Sequence, residues 1–165
     1  MKSINLLKQI LDGKKNCKIT INDSEGNEII TSISICSGVE KSEKNEQMMK
    51  LLPKQYVDIL QFSDGIELFN YDNIDGIKLL SIKEIEKYTQ YSRNTFEEDW
   101  LEDIIIFAKI IGEDNYLGFK KNENDYDILD CYFEELPMEW KIISNDLDVF
   151  LVEYIRKHGE KYWIS

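Results

Sequence analysis

Residues 51–65 read LLPKQYVDILQFSDG. Pro53 suits the first turn of a helix, where its missing N–H costs nothing and its fixed φ is already helical. Tyr56 and Leu60 are one helical turn apart, and Val57 and Ile59 flank them, so one apolar stripe faces a core. The helix should stop at Asp64-Gly65, because Gly65 permits the positive φ needed to turn sharply into a following strand. None of these residue types points to chemistry here; they are residues of a fold.

On the C-terminal side, two short strands, IELF and IKLL, are separated by the polar segment NYDNIDG. Ser81-Ile82-Lys83-Glu84 has the spacing of a capping box and predicts a helix from Ile82 to about Tyr91. Thr95-Phe96-Glu97-Glu98 repeats the spacing and predicts a second, short helix through Trp100 and Leu101. IIIFAKII, YLGFK and YDILDCYF, parted by polar turns, then predict an antiparallel meander, with MEWKII as a further strand. The last helix carries Leu147, Phe150, Leu151, Tyr154 and Ile155 at i, i+3, i+4, i+7 and i+8. Asn145 or Ser144 is its expected cap, Lys157 and His158 suit its C-terminal dipole, and Gly159 ends it.

On the N-terminal side, residues 40–51 read as a helix. CKITI, the turn NDSEGN and EIITSISIC read as a hairpin of β-branched strands. Pairing about Asp23–Asn27 puts Cys17 on one side with Ile19, Ile21, Ile33 and Ile35, and turns Cys36 the other way. A first helix runs from a Ser3 cap to Gly13. Strands in the middle with helices before and after give an α+β class, with a mainly antiparallel sheet built from the strands between residues 66 and 143. The exposed side of such a sheet can carry polar residues.

The order of these segments resembles the SUKH superfamily. The carrying residues are LLPKQYVDILQFSDG, then IELF, GIKLL and SIKEIEKY, then IIIFAKIIGEDNYLGF, and finally YDILDCYF and NDLDVFLVEYI. Glu113 separates Gly112 from Asp114, one Gly follows the first helix where many members have two, and the hairpin at 17–36 has no counterpart. The resemblance implies a single domain over 1–165, with 40–156 as the family-like core and 1–39 as an N-terminal extension. It also implies a helix-flanked sheet, no cofactor and a protein partner. Many bacterial members neutralise toxins, often nucleases, by binding them; fungal relatives act in cell-wall signalling as interaction proteins.

Charge narrows the classes of partner. The chain of 165 residues has a formal net charge of -12. Residues 1–60 hold nine Lys against eight acids, whereas 97–139 hold fourteen acids against three Lys. A field of that sign repels phosphate backbones and anionic lipid, excluding nucleic acid and membrane surfaces as partners, and attracts a basic protein. The plainer reading is charge for solubility alone. The longest strictly apolar run, Ile104 to Ala108, is far short of a bilayer span, and Lys8 and Gln9 interrupt any signal-like core after Leu7, so a cytoplasmic location is expected.

Catalytic and metal constellations are weak. His158 is the only histidine and reads as a dipole-compensating helix end. With one His and no cysteine pair, zinc is disfavoured. Aligning Gly76 or Gly26 to the glycine of a calcium loop puts Tyr71 with Ile82, or Ile21, at ligand positions, and both loops fail. GEDNYLG lacks the lysine and glycine spacing of a phosphate loop. Carboxylate acid–base chemistry would need two acids with pKa values pushed apart in a deep pocket.

Protein recognition remains. Glu97, Glu98, Asp99, Glu102 and Asp103 crowd around Trp100, and Glu134 and Glu135 precede Trp140. Indoles beside acids combine contact area with steering, and these nine residues are the candidate partner site. The alternative for each indole is a place in the core. The expected function is a non-enzymatic immunity protein against a basic toxin domain; a general interaction module and a carboxylate hydrolase are the alternatives.

Because no cofactor, metal or disulfide is expected, urea unfolding curves with and without chelator and reductant should superimpose. A loss of stability with either reagent would contradict this reading.

Overall fold

A computed structural model describes residues 1–164. Helix α1 (Lys2–Leu11) is followed by strands β1 (Asn16–Asn22) and β2 (Glu28–Ile35), then helices α2 (Glu43–Met49) and α3 (Lys54–Phe62). Strands β3 (Ile66–Tyr71) and β4 (Asp75–Leu79) lead to α4 (Ile82–Phe96). Strands β5 (Ile104–Ile110), β6 (Tyr116–Lys121), β7 (Tyr126–Cys131) and β8 (Lys141–Ser144) precede α5 (Leu147–Arg156). The eight strands form one sheet in strict sequence order, every neighbour antiparallel. The α+β class is therefore correct, and the N-terminal hairpin is not an appendage: β2 pairs with β3 and continues the sheet. Its inward residues explain why, since Thr31 and Ile33 are buried.

Helices cover both faces of the middle of the sheet. Tyr116 and Phe119 are three residues apart on β6 and so point to opposite sides. Phe119 meets Tyr56 of α3 edge-on, with ring centroids 5.6 Å apart, while Tyr116 packs on Tyr88 and Tyr91 of α4. On the α3 side, the stripe of α5 is fully buried at Leu147, Phe150, Leu151, Tyr154 and Ile155. At the β1–β2 end the α4 side is bare, and Lys18, Thr20 and Ile30 face solvent there.

Tyr56 explains the position of α3. Its hydroxyl lies 2.7 Å from the Leu80 carbonyl oxygen and 2.9 Å from that of Phe107, where β4 ends beside β5. Its ring is wholly buried against Phe107 and Phe119, which stack on each other. Gly65 has φ 104°, as the turn out of α3 requires. The Asp64 carboxylate accepts from the Ile82 N–H and so ties this turn to the start of α4.

Several local expectations change. Ser3 does not cap α1; it lies inside the helix, buried, and donates its hydroxyl to Asp148 of α5. Asp148 also accepts from the Lys2 and Ser3 N–H groups, so a residue distant in sequence caps this helix. Pro53 sits just before α3 as its N-cap. Thr95 opens no second helix, because α4 runs on through Phe96 and Thr95 Oγ1 donates back to the Tyr91 carbonyl. A single 3-10 turn, Glu97–Asp99, follows. Met138 and Glu139 belong to another 3-10 turn, and the strand begins only at Lys141. Asp146, rather than Asn145 or Ser144, caps α5 by accepting from the Val149 N–H.

Replacing Leu151 by Asp puts an unpaired charge at a site 1% exposed. It should cost about 4 kcal/mol or more in urea unfolding; a normally melting variant would contradict the packing of α5. Burial raises the Asp148 carboxyl, but the bonds from Ser3 and Lys2 outweigh it and hold the group below its ordinary range. Its stabilisation is therefore present above the unfolded value of about 3.9 and is lost as pH falls through the lowered folded value. Asp148→Asn should flatten that acid limb of the stability curve; an unchanged limb would contradict the cap.

Candidate functional site

The two acidic segments lie more than thirty residues apart in the chain, and aromatic packing joins them. After α4, the 3-10 turn carries Glu97, Glu98 and Asp99, all exposed, and Trp100 turns inward. Glu102 and Asp103 are exposed on the turn into β5. After β7, Glu134 is exposed and Glu135 half-buried on the turn that leads to Trp140. The Trp100 and Trp140 rings meet edge-on at 6.3 Å, and Phe96 and Phe133 pack on Trp140 at 5.2 and 6.0 Å. Trp140 Nε1 donates to the carbonyls of Tyr132 and Glu135, fixing the acidic turn to the cluster.

Both indoles are therefore in the core, at 7% and 6% exposure. They arrange the acids without presenting contact area of their own. Among the acids, Glu102 pairs with Arg93 at 2.8 Å across an exposed surface, which holds it in place but adds little stability. Glu134, beside the exposed Tyr132 hydroxyl, pushes that group above its ordinary value.

The exposed residues that sequence reasoning missed here are apolar. Leu136, Met138 and Ile142 are exposed at 41%, 76% and 62% on or beside the last strand. The register puts Ile142 opposite Leu129, on the same side of the sheet as Trp140. Leu136 and Met138 flank Pro137, and reading MEWKII as one strand concealed that they sit on a turn.

On the opposite side of the sheet the same turn borders a cavity of about 330 Å³. Asp130 of β7, registered with Leu117 and Lys141, projects there. The C-terminal tail closes one side: Gly159, with φ 87°, passes so near Phe69 that a Cβ would lie 2.7 Å from the Phe69 Cβ. Lys161 then pairs with Asp75 at 3.1 Å and Glu113 at 2.6 Å, and Trp163 packs on Phe150.

Asp130 and Glu113 both line this cavity and shift in opposite senses. Burial pushes Asp130 up; burial would also raise Glu113, but Lys161 and Asn115 hold it down. Such a divergence would suit acid–base work only if the ionised partner were free. One Glu113 oxygen accepts from Lys161 and the other from Asn115, so its charge is already engaged in an ion pair. Among the described residues no group of three or more His, Cys, Asp or Glu side chains comes together as a metal would need. Cys17, Cys36 and Cys131 are all unpaired, and no described helix is long and apolar enough to cross a membrane.

Neither curated proteins nor solved structures give a match to this chain. A family model does: that of the SMI1 / KNR4 family (SUKH-1), over residues 36–153. The matched span begins at the end of β2 and runs into α5, taking in α3 with its Tyr56 anchor, both acidic turns and the aromatic cluster between them. With well over half of its length matched, and with a helix-flanked antiparallel sheet, the chain belongs to the SMI1 / KNR4 family (SUKH-1).

Proposed function

We propose that this protein is a non-enzymatic immunity-type binding domain that neutralises a basic toxin domain in the cytoplasm by occupying its surface. The family is consistent with protein binding of this kind. The observation that carries the reading is an exposed acidic run, Glu97, Glu98, Asp99, Glu102 and Asp103, whose Trp100 packs on Trp140 of the turn that bears Glu134 and Glu135. Exposed Leu136, Met138 and Ile142 add apolar area beside the charge. Interfaces draw affinity from such apolar centres and association rate from the surrounding field. If the partner is a nuclease, the acids compete with nucleic acid for its basic cleft, and inhibition needs no chemistry from this chain. A general interaction module would use the same surface; a toxin gene adjacent to this one favours the immunity reading.

The test uses the purified toxin domain encoded by the adjacent reading frame. Steered association runs well above the roughly 10⁵–10⁶ M⁻¹s⁻¹ of uncharged pairs and falls with ionic strength. Reversing Glu97, Glu98, Asp99, Glu102 and Asp103 to Lys should slow association at least tenfold and leave the melting temperature within a few degrees, since all five are exposed. Binding unchanged in the variant and insensitive to salt would reduce the charge to a solubility device.

A further inference from the structure

The cavity beside Asp130 has the chemistry of a receptor for one organic cation. Its walls are apolar at Ile110, Ile143 and Trp163, and its charged groups are the carboxylates of Glu113, Asp130 and Glu135 against Lys141 and Lys161. Lys161 is already committed to Asp75 and Glu113, which leaves Asp130 and Glu135 facing Lys141 alone. Burial and the charges of Glu113 and Glu135 disfavour the ionised form of Asp130, and Lys141 only partly offsets them. The buried Trp163 indole N–H is directed at Asp130 and does more than Lys141 to hold its carboxyl down, although it falls short of good hydrogen-bond geometry. The cavity thus holds a half-buried carboxylate without a full counter-charge, beside an indole donor that reaches it imperfectly. Its acids are too dispersed for a metal ion.

We propose that this cavity receives an arginine side chain presented by the basic protein partner, with the guanidinium on Asp130 and the aliphatic stem along Ile143 and Trp163. A guanidinium forks onto a carboxylate through two N–H groups and stacks on an indole, and its stem covers apolar wall. Continuity supports the choice of a protein partner: Glu135 lines the cavity while Glu134 and Met138, on the same turn, stand exposed beside the acidic surface described above. The inference rests on the binding function proposed above and names the feature of the partner that this end of the surface selects.

N-acetyl-arginine amide is the probe, with the uncharged isostere N-acetyl-citrulline amide as its control. Titration into the full chain, followed by the indole N–H resonances, should move Trp163 saturably and leave Trp100 and Trp140 in place. Citrulline should bind about tenfold more weakly or worse, the difference expected of one charged hydrogen-bonded pair. Asp130→Asn should lose the response while melting no lower, because it removes a buried charge. Glu135→Gln should weaken the response, and the five-lysine variant should keep it. An equal response to citrulline, no saturable shift of Trp163, or an undiminished response in Asp130→Asn overturns the proposal. If arginine binds in this way but the toxin domain does not bind the chain, the cavity stands and the immunity reading fails.

Discussion

The hydroxyl of Tyr56 is the constraint on which the rest of the structure depends. It is fully buried and sits between the carbonyls of Leu80 and Phe107. Its one proton goes to Leu80, the nearer carbonyl, because that of Phe107 already accepts from the Leu80 N–H; a buried carbonyl without a donor costs about 1–3 kcal/mol, so the hydroxyl fixes the seating of α3 over the sheet. With α3 fixed, Phe107 and Phe119 pack beneath it and α5 lies alongside. Leu80, whose N–H also bonds to the Phe107 carbonyl, then hands the chain from β4 into α4 on the other face. One phenol thereby orders the handover that carries the chain to the acidic turns.

From α4 onward the consequences reach the proposed binding surface. The helix ends at Phe96, whose ring packs on Trp140 from the opposite end of the meander. Trp100 adds to the same cluster. The indoles are withdrawn into the core, and the acids next to them in sequence are forced outward on tight turns. In a sheet paired in sequence order β5 and β7 run in the same direction, so Asp103 enters β5 beside Lys121 while the 132–140 turn leaves β7 at the other end of the strands. The packing of Phe96 and Trp100 on Trp140, and not strand order, brings Glu97, Glu98 and Asp99 toward that turn.

Much of this was legible in the sequence. The α3 segment, the capping box at Ser81, the hairpin register and the α5 stripe follow from local rules of periodicity and capping, and the structure agrees with each. Two of the misses share a cause, a tertiary partner that displaced a local one: Asp148 caps α1 in place of Ser3, and Thr95 bonds back into α4 with Phe96 held by Trp140. The third is a shift of one or two residues within a local rule, since Asp146 caps α5 in place of Asn145 or Ser144. At the site, the exposed acids were legible as a charge run. The burial of both indoles and the exposure of Met138 and Ile142 were not, because an aromatic beside acids has the same local signature whether it faces the core or a partner. The Asp130 cavity was invisible for a further reason: its residues come from β7, β8, the β5–β6 turn and the tail, and no spacing links them.

The central claim is that the surface bearing residues 97–103 and 132–142 meets a basic protein partner. Hydrogen–deuterium exchange of the chain, free and mixed with the product of the adjacent reading frame, tests it most directly. The account predicts new protection in those two segments and none in the β1–β2 hairpin at the far edge of the sheet. Protection confined to the hairpin, with 97–103 and 132–142 exchanging as in the free protein, would contradict it.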